Sequence, residues 1–220
     1  VWVDALFSNT TWGFNTAVGR SVLKANTTGT LNTAMWVQSL TSNTTGSWNT
    51  SYGAQSLLSN TVWGFNTAFW YQSLWSNQTG GLNVAIWKWS LIQSTSTGNT
   101  SVWAESLGNS TTGNGNTALG YQAWFANTTG SNNTYVGSGA NATTNNLSNA
   151  TAVGNGAIVN ASNKIVIGNA LATTVGWYGL WTNYSDRRLK ENITYTDRLW
   201  LEFIDRLKTA SYNYIWTDPI

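Results

Sequence analysis

Cysteine and histidine are absent from this chain of 220 residues. Without cysteine no disulfide contributes to stability, and the redox compartment leaves no mark in the sequence. Without histidine the commonest metal ligand and the commonest general base are gone. Charge is scarce: only 8% of residues are Asp, Glu, Lys or Arg, and the net charge is +2. That balance is too weak to mark nucleic acid or an anionic membrane as a partner. No apolar run approaches the ~20 residues that a membrane-spanning helix needs. The opening residues, Val1-Trp2-Val3-Asp4, contain neither an initiator methionine nor a signal peptide and read as a cut inside a longer protein. No cofactor and no metal site are expected from this inventory.

Asn, Thr, Ser and Gly dominate instead, a composition that can signal disorder. Here a fixed period argues for order. Taking the Asn of Asn-Thr-Ala-x-Gly as anchor, it falls at Asn15, Asn32, Asn49, Asn66 and Asn83, each 17 residues apart. Asn99 follows after a one-residue deletion, and Asn116 and Asn133 resume the period. Two past each anchor sits a mostly small residue (Ala17, Ala34, Ser51, Ala68, Ala85, Ser101, Ala118). Three past it sits a larger apolar one (Val18, Met35, Tyr52, Phe69, Ile86, Val102, Leu119, Val136). Eight past it sits Leu23, Leu40, Leu57, Leu74, Leu91 or Leu107. Stations this short, separated by Thr-Thr-Gly and Ser-Asn, predict two short strands per coil broken by turns. One such coil cannot bury its own apolar face, whereas stacked coils share a continuous core. The expected fold is therefore all-β: a repetitive parallel β-roll of 17-residue coils over 1–137, with degenerate repeats over 138–168 and a neck over 169–184. The many Asn-x-Ser/Thr triplets read as turn chemistry repeated in every coil rather than as glycan acceptors.

The tryptophans are distributed strangely. Four past the anchor the column reads Trp2, Gly19, Trp36, Gly53, Trp70, Trp87, Trp103, Gly120, Gly137. Three before it, the column reads Trp12, Gly29, Gly46, Trp63, Gly80, Gly113, Gly130. Across these sixteen positions only the smallest and the largest side chains occur, nine Gly and seven Trp. No packing rule accepts both extremes and rejects everything between. A position needing φ > 0, or one pressed against a neighbouring coil, accepts Gly and resists a bulky aromatic. These slots therefore demand glycine, and the sequence predicts a gene whose UGA codons mean glycine but have been translated as tryptophan. Trp75, Trp89, Trp177, Trp181 and Trp200 could share that origin, whereas Trp48 and Trp124 occupy slots that elsewhere hold apolar residues. The competing reading is an aromatic ladder for stacking on sugars; it leaves the alternation with Gly unexplained.

From Tyr184 onward the character changes. Ser185-Asp186-Arg187-Arg188-Leu189-Lys190-Glu191-Asn192-Ile193 opens a stretch holding most of the chain's charge. Thr196 is placed to cap a helix over 197–208, with Leu199, Phe203, Ile204 and Leu207 on one face. Asp197 at its start and Lys208 at its end suit the helix dipole. Ser211-Tyr212-Asn213-Tyr214-Ile215-Trp216 alternates as a strand does. Residues 185–220 thus form a small α+β segment. Ser-Asp-x-Arg-Leu-Lys-x-Asn-Ile, followed by a helix and a Tyr-x-Tyr-x-Trp strand, resembles the start of the endosialidase-type intramolecular chaperone. The resemblance implies a domain that drives trimerisation and then cuts itself off, with Ser185 as nucleophile and Lys190 as base. On chemical grounds a serine hydroxyl needs an adjacent base, and a lysine can serve when burial or a nearby cation lowers its pKa. Arg187 and Arg188 could supply that cation, with Asp186 beside them. The same residues also suit a surface helix entry, with Ser185 as a cap and a solvated Arg-Arg-Lys face.

The repeat, for its part, is similar to the head repeats of trimeric autotransporter adhesins, which implies a left-handed parallel β-roll and a homotrimer. Taken together, the two resemblances imply a trimeric surface fibre, located on a virion tail or a cell surface, that binds a host receptor, glycan or protein. Its only chemistry would be single-turnover autoproteolysis beside Ser185. The alternative is a bacterial adhesin head without self-cleavage. A depolymerase fits worst, because a glycosidase needs two carboxylates close together. Asp4 and Glu105 lie far apart in the repeat region.

Overall fold

The computed structural model describes residues 3–125 and 128–172, which belong to one compact unit, Val1–Val175. The second unit, Gly176–Ile220, lies outside the described residues. With it lie the expected helix over 197–208, the strand over 211–216, and most of the neck.

The described chain is an all-β solenoid of about nine turns, with parallel strands and no helix among the described residues. Eight strands recur once per coil: β1 (Thr16–Val18), β2 (Thr33–Met35), β3 (Thr50–Tyr52), β4 (Thr67–Phe69), β5 (Val84–Ile86), β6 (Thr100–Val102), β7 (Thr117–Leu119) and β8 (Thr134–Val136). Four shorter or later ones follow: β9 (Asn141–Ala142), β10 (Thr151–Val153), β11 (Ile158–Val159) and β12 (Ile165–Ile167). Ten of them form one parallel sheet in the order β1-β2-β3-β4-β5-β6-β7-β8-β10-β12, and β9 pairs with β11.

The register follows the anchors. Thr16 pairs with Thr33, Thr33 with Thr50 and Thr50 with Thr67. The deletion before Asn99 is absorbed in register, Val84 facing Thr100. Asn99 still donates its N–H to Asn83 Oδ1, here 16 residues back instead of 17. Past β10 the coil shortens, with Thr151 opposite Ile165.

Side chains alternate across each strand, as the pleat requires. The residue two past the anchor points inward and is buried in Ala34, Ala68, Ala85 and Ala118. Opposite it stands the leucine column, Leu23, Leu40, Leu57, Leu74, Leu91 and Leu107, fully buried. Each leucine removed from water contributes about 1.5–3 kcal/mol. A small residue facing a large one keeps the coil thin and closes the core without voids. Where serine replaces alanine, at Ser51 and Ser101, its hydroxyl is bonded inside the core, to Ser39 and Ser90 at 2.7 Å in each case.

The expectation of two strands per coil holds only at the end of the solenoid, where β9 and β11 pair. In the regular coils the leucine station is not extended. Gln38, Gln55 and Gln72 have φ of 58°, 59° and 55°, and Leu40, Leu57 and Leu74 have φ of 51°, 50° and 50°. Every second residue is thus left-handed, which breaks extended geometry. Coil-to-coil bonding persists regardless: Leu40, Leu57 and Leu74 donate their N–H groups to the carbonyls of Ser56, Ser73 and Ser90 at 3.0–3.1 Å. The periodicity placed the station correctly. The handedness of its backbone is not encoded in an apolar pattern.

Two buried asparagine ladders clamp the stack. In the anchor ladder, Asn66 donates its backbone N–H to Asn49 Oδ1, and Asn83 donates to Asn66 Oδ1, both at 3.1 Å. The second ladder links Asn26, Asn43 and Asn60 through Nδ2-to-Oδ1 bonds of 2.8–2.9 Å. Both ladders converge on one carbonyl per coil: Gly46 O accepts from Asn32 Nδ2 at 2.8 Å and from Asn43 Nδ2 at 2.9 Å. Asn26, Asn43, Asn49, Asn77 and Asn99, each the head of an Asn-x-Ser/Thr triplet, are completely buried, so no glycan fits on them.

Asn66→Ala is expected to leave the Asn83 N–H unpaired in a buried site and to lower stability by at least ~1–3 kcal/mol. Asn155→Ala, which removes only an exposed bond to Ser138 O, should stay within about 0.5 kcal/mol. Denaturant unfolding of the two variants checks the contrast.

Candidate functional site

Among the described residues the solenoid carries almost no reactive chemistry. Asp4 and Glu105 are its only carboxylates. Asp4 is bridged to Lys24 at 3.0 Å, and Glu105 accepts a hydrogen bond from Gln122 Nε2 at 2.7 Å. The two lie in different coils, so they do not form the close pair that glycoside hydrolysis needs. No cluster of three metal-ligating side chains occurs among the described residues.

What the outer face does carry is aromatic surface. Three past each anchor the side chains point outward, and Tyr52 stacks on Phe69 at 5.8 Å. Beside them Trp70, Trp87 and Trp103 form a continuous pile, at 5.1 and 5.5 Å with ring planes within 4° of parallel. Trp36, Tyr52, Phe69, Trp70 and Tyr71 line a groove of about 370 Å³ over the backbone of Gly53 and Ala54. Stacked aromatic rims of this kind can hold the apolar face of a sugar. A groove at this place was not singled out from the sequence. Its signal was the pair of neighbouring columns three and four past the anchor.

The backbone beneath that pile is unusual. Gly19, Gly120 and Gly137, in the column four past the anchor, have φ of 137°, 141° and 128°. Trp36, Trp70, Trp87 and Trp103, in the same column, have φ of 82°, 79°, 94° and 97°. The glycine values lie in a region that residues with a Cβ hardly enter, and the tryptophans sit between it and the left-handed minimum near 57°.

The column three before the anchor is tight for a different reason. Its φ values are not positive, but a Cβ on Gly29 would lie 2.4 Å from Gly46 O, one on Gly46 2.5 Å from Trp63 O, and one on Gly113 2.0 Å from Gly130 O. These are the carbonyls on which the asparagine ladders converge. Trp12 and Trp63 carry a Cβ at this position, and both indoles are thrown outward into solvent. In the shortened coil the slot is filled by Ser96, whose carbonyl accepts from Asn83 Nδ2 at 2.7 Å.

Among the described residues Trp124 is the one buried tryptophan. It occupies the leucine column and stacks on Tyr135 at a centroid distance of 4.2 Å. Tyr135 itself fills the inward slot that holds alanine in most other coils. Trp124 Nε1 and Tyr135 Oη are both buried without a hydrogen-bond partner, and burial pushes the Tyr135 hydroxyl pKa well above its ordinary value.

Ser185, Asp186, Arg187, Arg188 and Lys190 lie outside the described residues, as do Trp2, Trp177, Trp181 and Trp200. Residues 185–219 match a family model described as chaperone of endosialidase. No curated protein and no solved structure matches the chain.

Proposed function

We propose that this chain is part of a trimeric surface fibre of the phage tail-fibre or tailspike kind, on a virion tail, whose C-terminal chaperone segment drives trimerisation and then cuts itself off beside Ser185. One observation carries the reading: the match to the endosialidase chaperone over 185–219 stands C-terminal to a β-solenoid in the same chain. That combination fits a tail-fibre-like structural protein. The scarcity of reactive groups in the solenoid supports a structural and attachment role for it, with a host-surface glycan or protein as the bound partner.

In the proposed step the Ser185 hydroxyl attacks the carbonyl carbon of a peptide bond beside it. Lys190, unprotonated, takes the hydroxyl proton and passes it to the leaving amine, and water then hydrolyses the ester. The reaction happens once per chain. Loss of the chaperone removes the assembly route, so that unfolding of the fibre becomes effectively irreversible.

The test uses the full-length reading frame that contains these residues, beside its Ser185→Ala variant. Masses are read on a denaturing gel and, for the native assembly, by light scattering. The parent should lose a C-terminal fragment starting near residue 185 and leave a trimeric solenoid, while the variant stays whole. Two intact, monomeric proteins would sink the proposal and leave a non-cleaving adhesin module as the better account.

A further inference from the structure

We infer that seven of the described tryptophans, Trp12, Trp36, Trp63, Trp70, Trp87, Trp103 and Trp124, stand where the native polypeptide carries glycine, because the gene's UGA codons are read by a glycine-charged tRNA. Three independent features of the fold single out these seven.

The first is conformational. Position by position, the coil tolerates left-handed residues when φ is near 50–60°, as Gln38, Leu40 and Gln55 show. That is the left-handed minimum, accessible to any L-residue at a cost. The slot four past the anchor is different. Where glycine occupies it, at Gly19, Gly53, Gly120 and Gly137, φ runs from 128° to 158°, and the values of 128–141° at Gly19, Gly120 and Gly137 lie in a region populated by glycine almost alone. The four tryptophans hold the same slot at 79–97°, pulled away from where the stack places its glycines. A slot that accepted any L-residue would show an assortment, as the glutamine column does with Ser21, Gln38, Gln55, Gln72, Glu105 and Gln122.

The second is steric. Three before the anchor, a Cβ meets the carbonyl of the next coil at 2.0–2.5 Å in Gly29, Gly46 and Gly113. That carbonyl is fixed by two asparagine side chains and cannot retreat cheaply. Trp12 and Trp63 occupy this column.

The third concerns Trp124, where sequence alone left both readings open. The core repeats a large residue, leucine, against a small one, alanine. At this layer both partners are large, Trp124 against Tyr135, and both bury a polar atom with no partner. Buried groups are seldom left unbonded, and cores conserve volume across a layer. With glycine at 124, the tyrosine ring occupies the space that leucine fills in the other coils: the small residue and the large one have exchanged sides. The unbonded indole N–H disappears, and the hydroxyl gains room for a water.

The same reasoning excludes two others. Trp48 lies in a column with Phe14, Leu31, Phe65 and Leu82, and stacks on Phe65 at 5.9 Å with planes 4° apart. Trp89 donates Nε1–H to Gln72 Oε1 at 2.8 Å, within the glutamine ladder, and carries Lys88 Nζ over its ring at 3.8 Å. Both are accommodated and are tryptophan.

A consequence follows for binding. With these seven positions as glycine, the Trp70-Trp87-Trp103 pile is gone and the groove loses Trp36 and Trp70, keeping Tyr52, Phe69 and Tyr71, so the tryptophan pile is not the receptor site. If the chain is a virion protein, as proposed above, a glycine-charged tRNA that reads UGA, from the host or from the viral genome, must be present when it is made. The coding claim itself does not depend on that reading.

The test is to read the codons of the gene and to weigh the corresponding peptides of the native protein by mass spectrometry. The expected result is UGA at all seven positions, UGG at Trp48 and Trp89, and glycine masses in the peptides. UGG at Trp36, Trp70, Trp87 and Trp103, or UGA with tryptophan masses, overturns the inference and returns the pile to consideration as a sugar-stacking ladder. UGG at Trp124 alone overturns the volume-exchange argument there.

Discussion

Replacing four tryptophans at once, Trp36→Gly, Trp70→Gly, Trp87→Gly and Trp103→Gly, is expected to raise the unfolding midpoint of the solenoid, although it deletes four of the largest side chains. Ordinarily a Trp→Gly change loses buried area and adds backbone entropy, each unfavourable. Here the indoles are already about half exposed, Trp87 less so, and the loss of burial is correspondingly reduced. Two ring stacks go with them, about 0.5–1.5 kcal/mol per pair. Against this, a bulky residue held at φ of 79–97° carries strain of about 1–3 kcal/mol per position. Four such positions outweigh two stacks, and the net gain should be a few kcal/mol. Trp75→Gly is the control, since Trp75 is as exposed as Trp87 but lacks positive φ; with no strain to release, it should lower stability by about 1 kcal/mol. Thermal and denaturant unfolding on the same preparations read both. A loss in the fourfold variant as large as in the control would mean that the strain argument is wrong.

The coil period was legible because it is written in side chains that face inward. Asn15, Asn32, Asn49 and their successors predicted the register, and the deletion before Asn99 reappears as the offset pairing of Val84 with Thr100. The leucine column was equally legible as core. Its backbone was not: an apolar residue looks the same in a strand as in the left-handed conformation that Leu40 and Leu57 adopt. The asparagines were read as turn formers, and their larger role as buried ladders was missed. Its signal was present in the spacing of Asn26, Asn43, Asn60 and Asn77, 17 apart and out of phase with the anchors. The misfit of Trp124 depends on Tyr135 in the next coil, a contact that no single column displays. The chemistry of Ser185 and Lys190 rests on motif and family match alone, because those residues lie beyond the described solenoid.

Lys190→Arg should slow cleavage about 10²–10⁴-fold, where Ser185→Ala removes the nucleophile altogether, and this separates a base from a mere positive charge. Arginine keeps the charge, most of the length and the hydrogen-bonding capacity of lysine. What it cannot do is lose its proton at any accessible pH. If Lys190 takes the proton from Ser185, the change removes a general base, and the rate should fall about 10²–10⁴-fold. If Lys190 only anchors the segment, arginine should substitute well. Light scattering on each variant guards against a trivial failure, since an uncut trimer shows that assembly survived. Arg187→Gln and Arg188→Gln sharpen the contrast through pH. A nearby cation favours the neutral amine, so removing it raises the pKa of Lys190. The rising limb of the cleavage-rate profile should then move to higher pH without loss of the plateau rate. A profile that stays in place, together with full cleavage by Lys190→Arg, would remove Lys190 from the chemistry and leave Ser185 in need of another base.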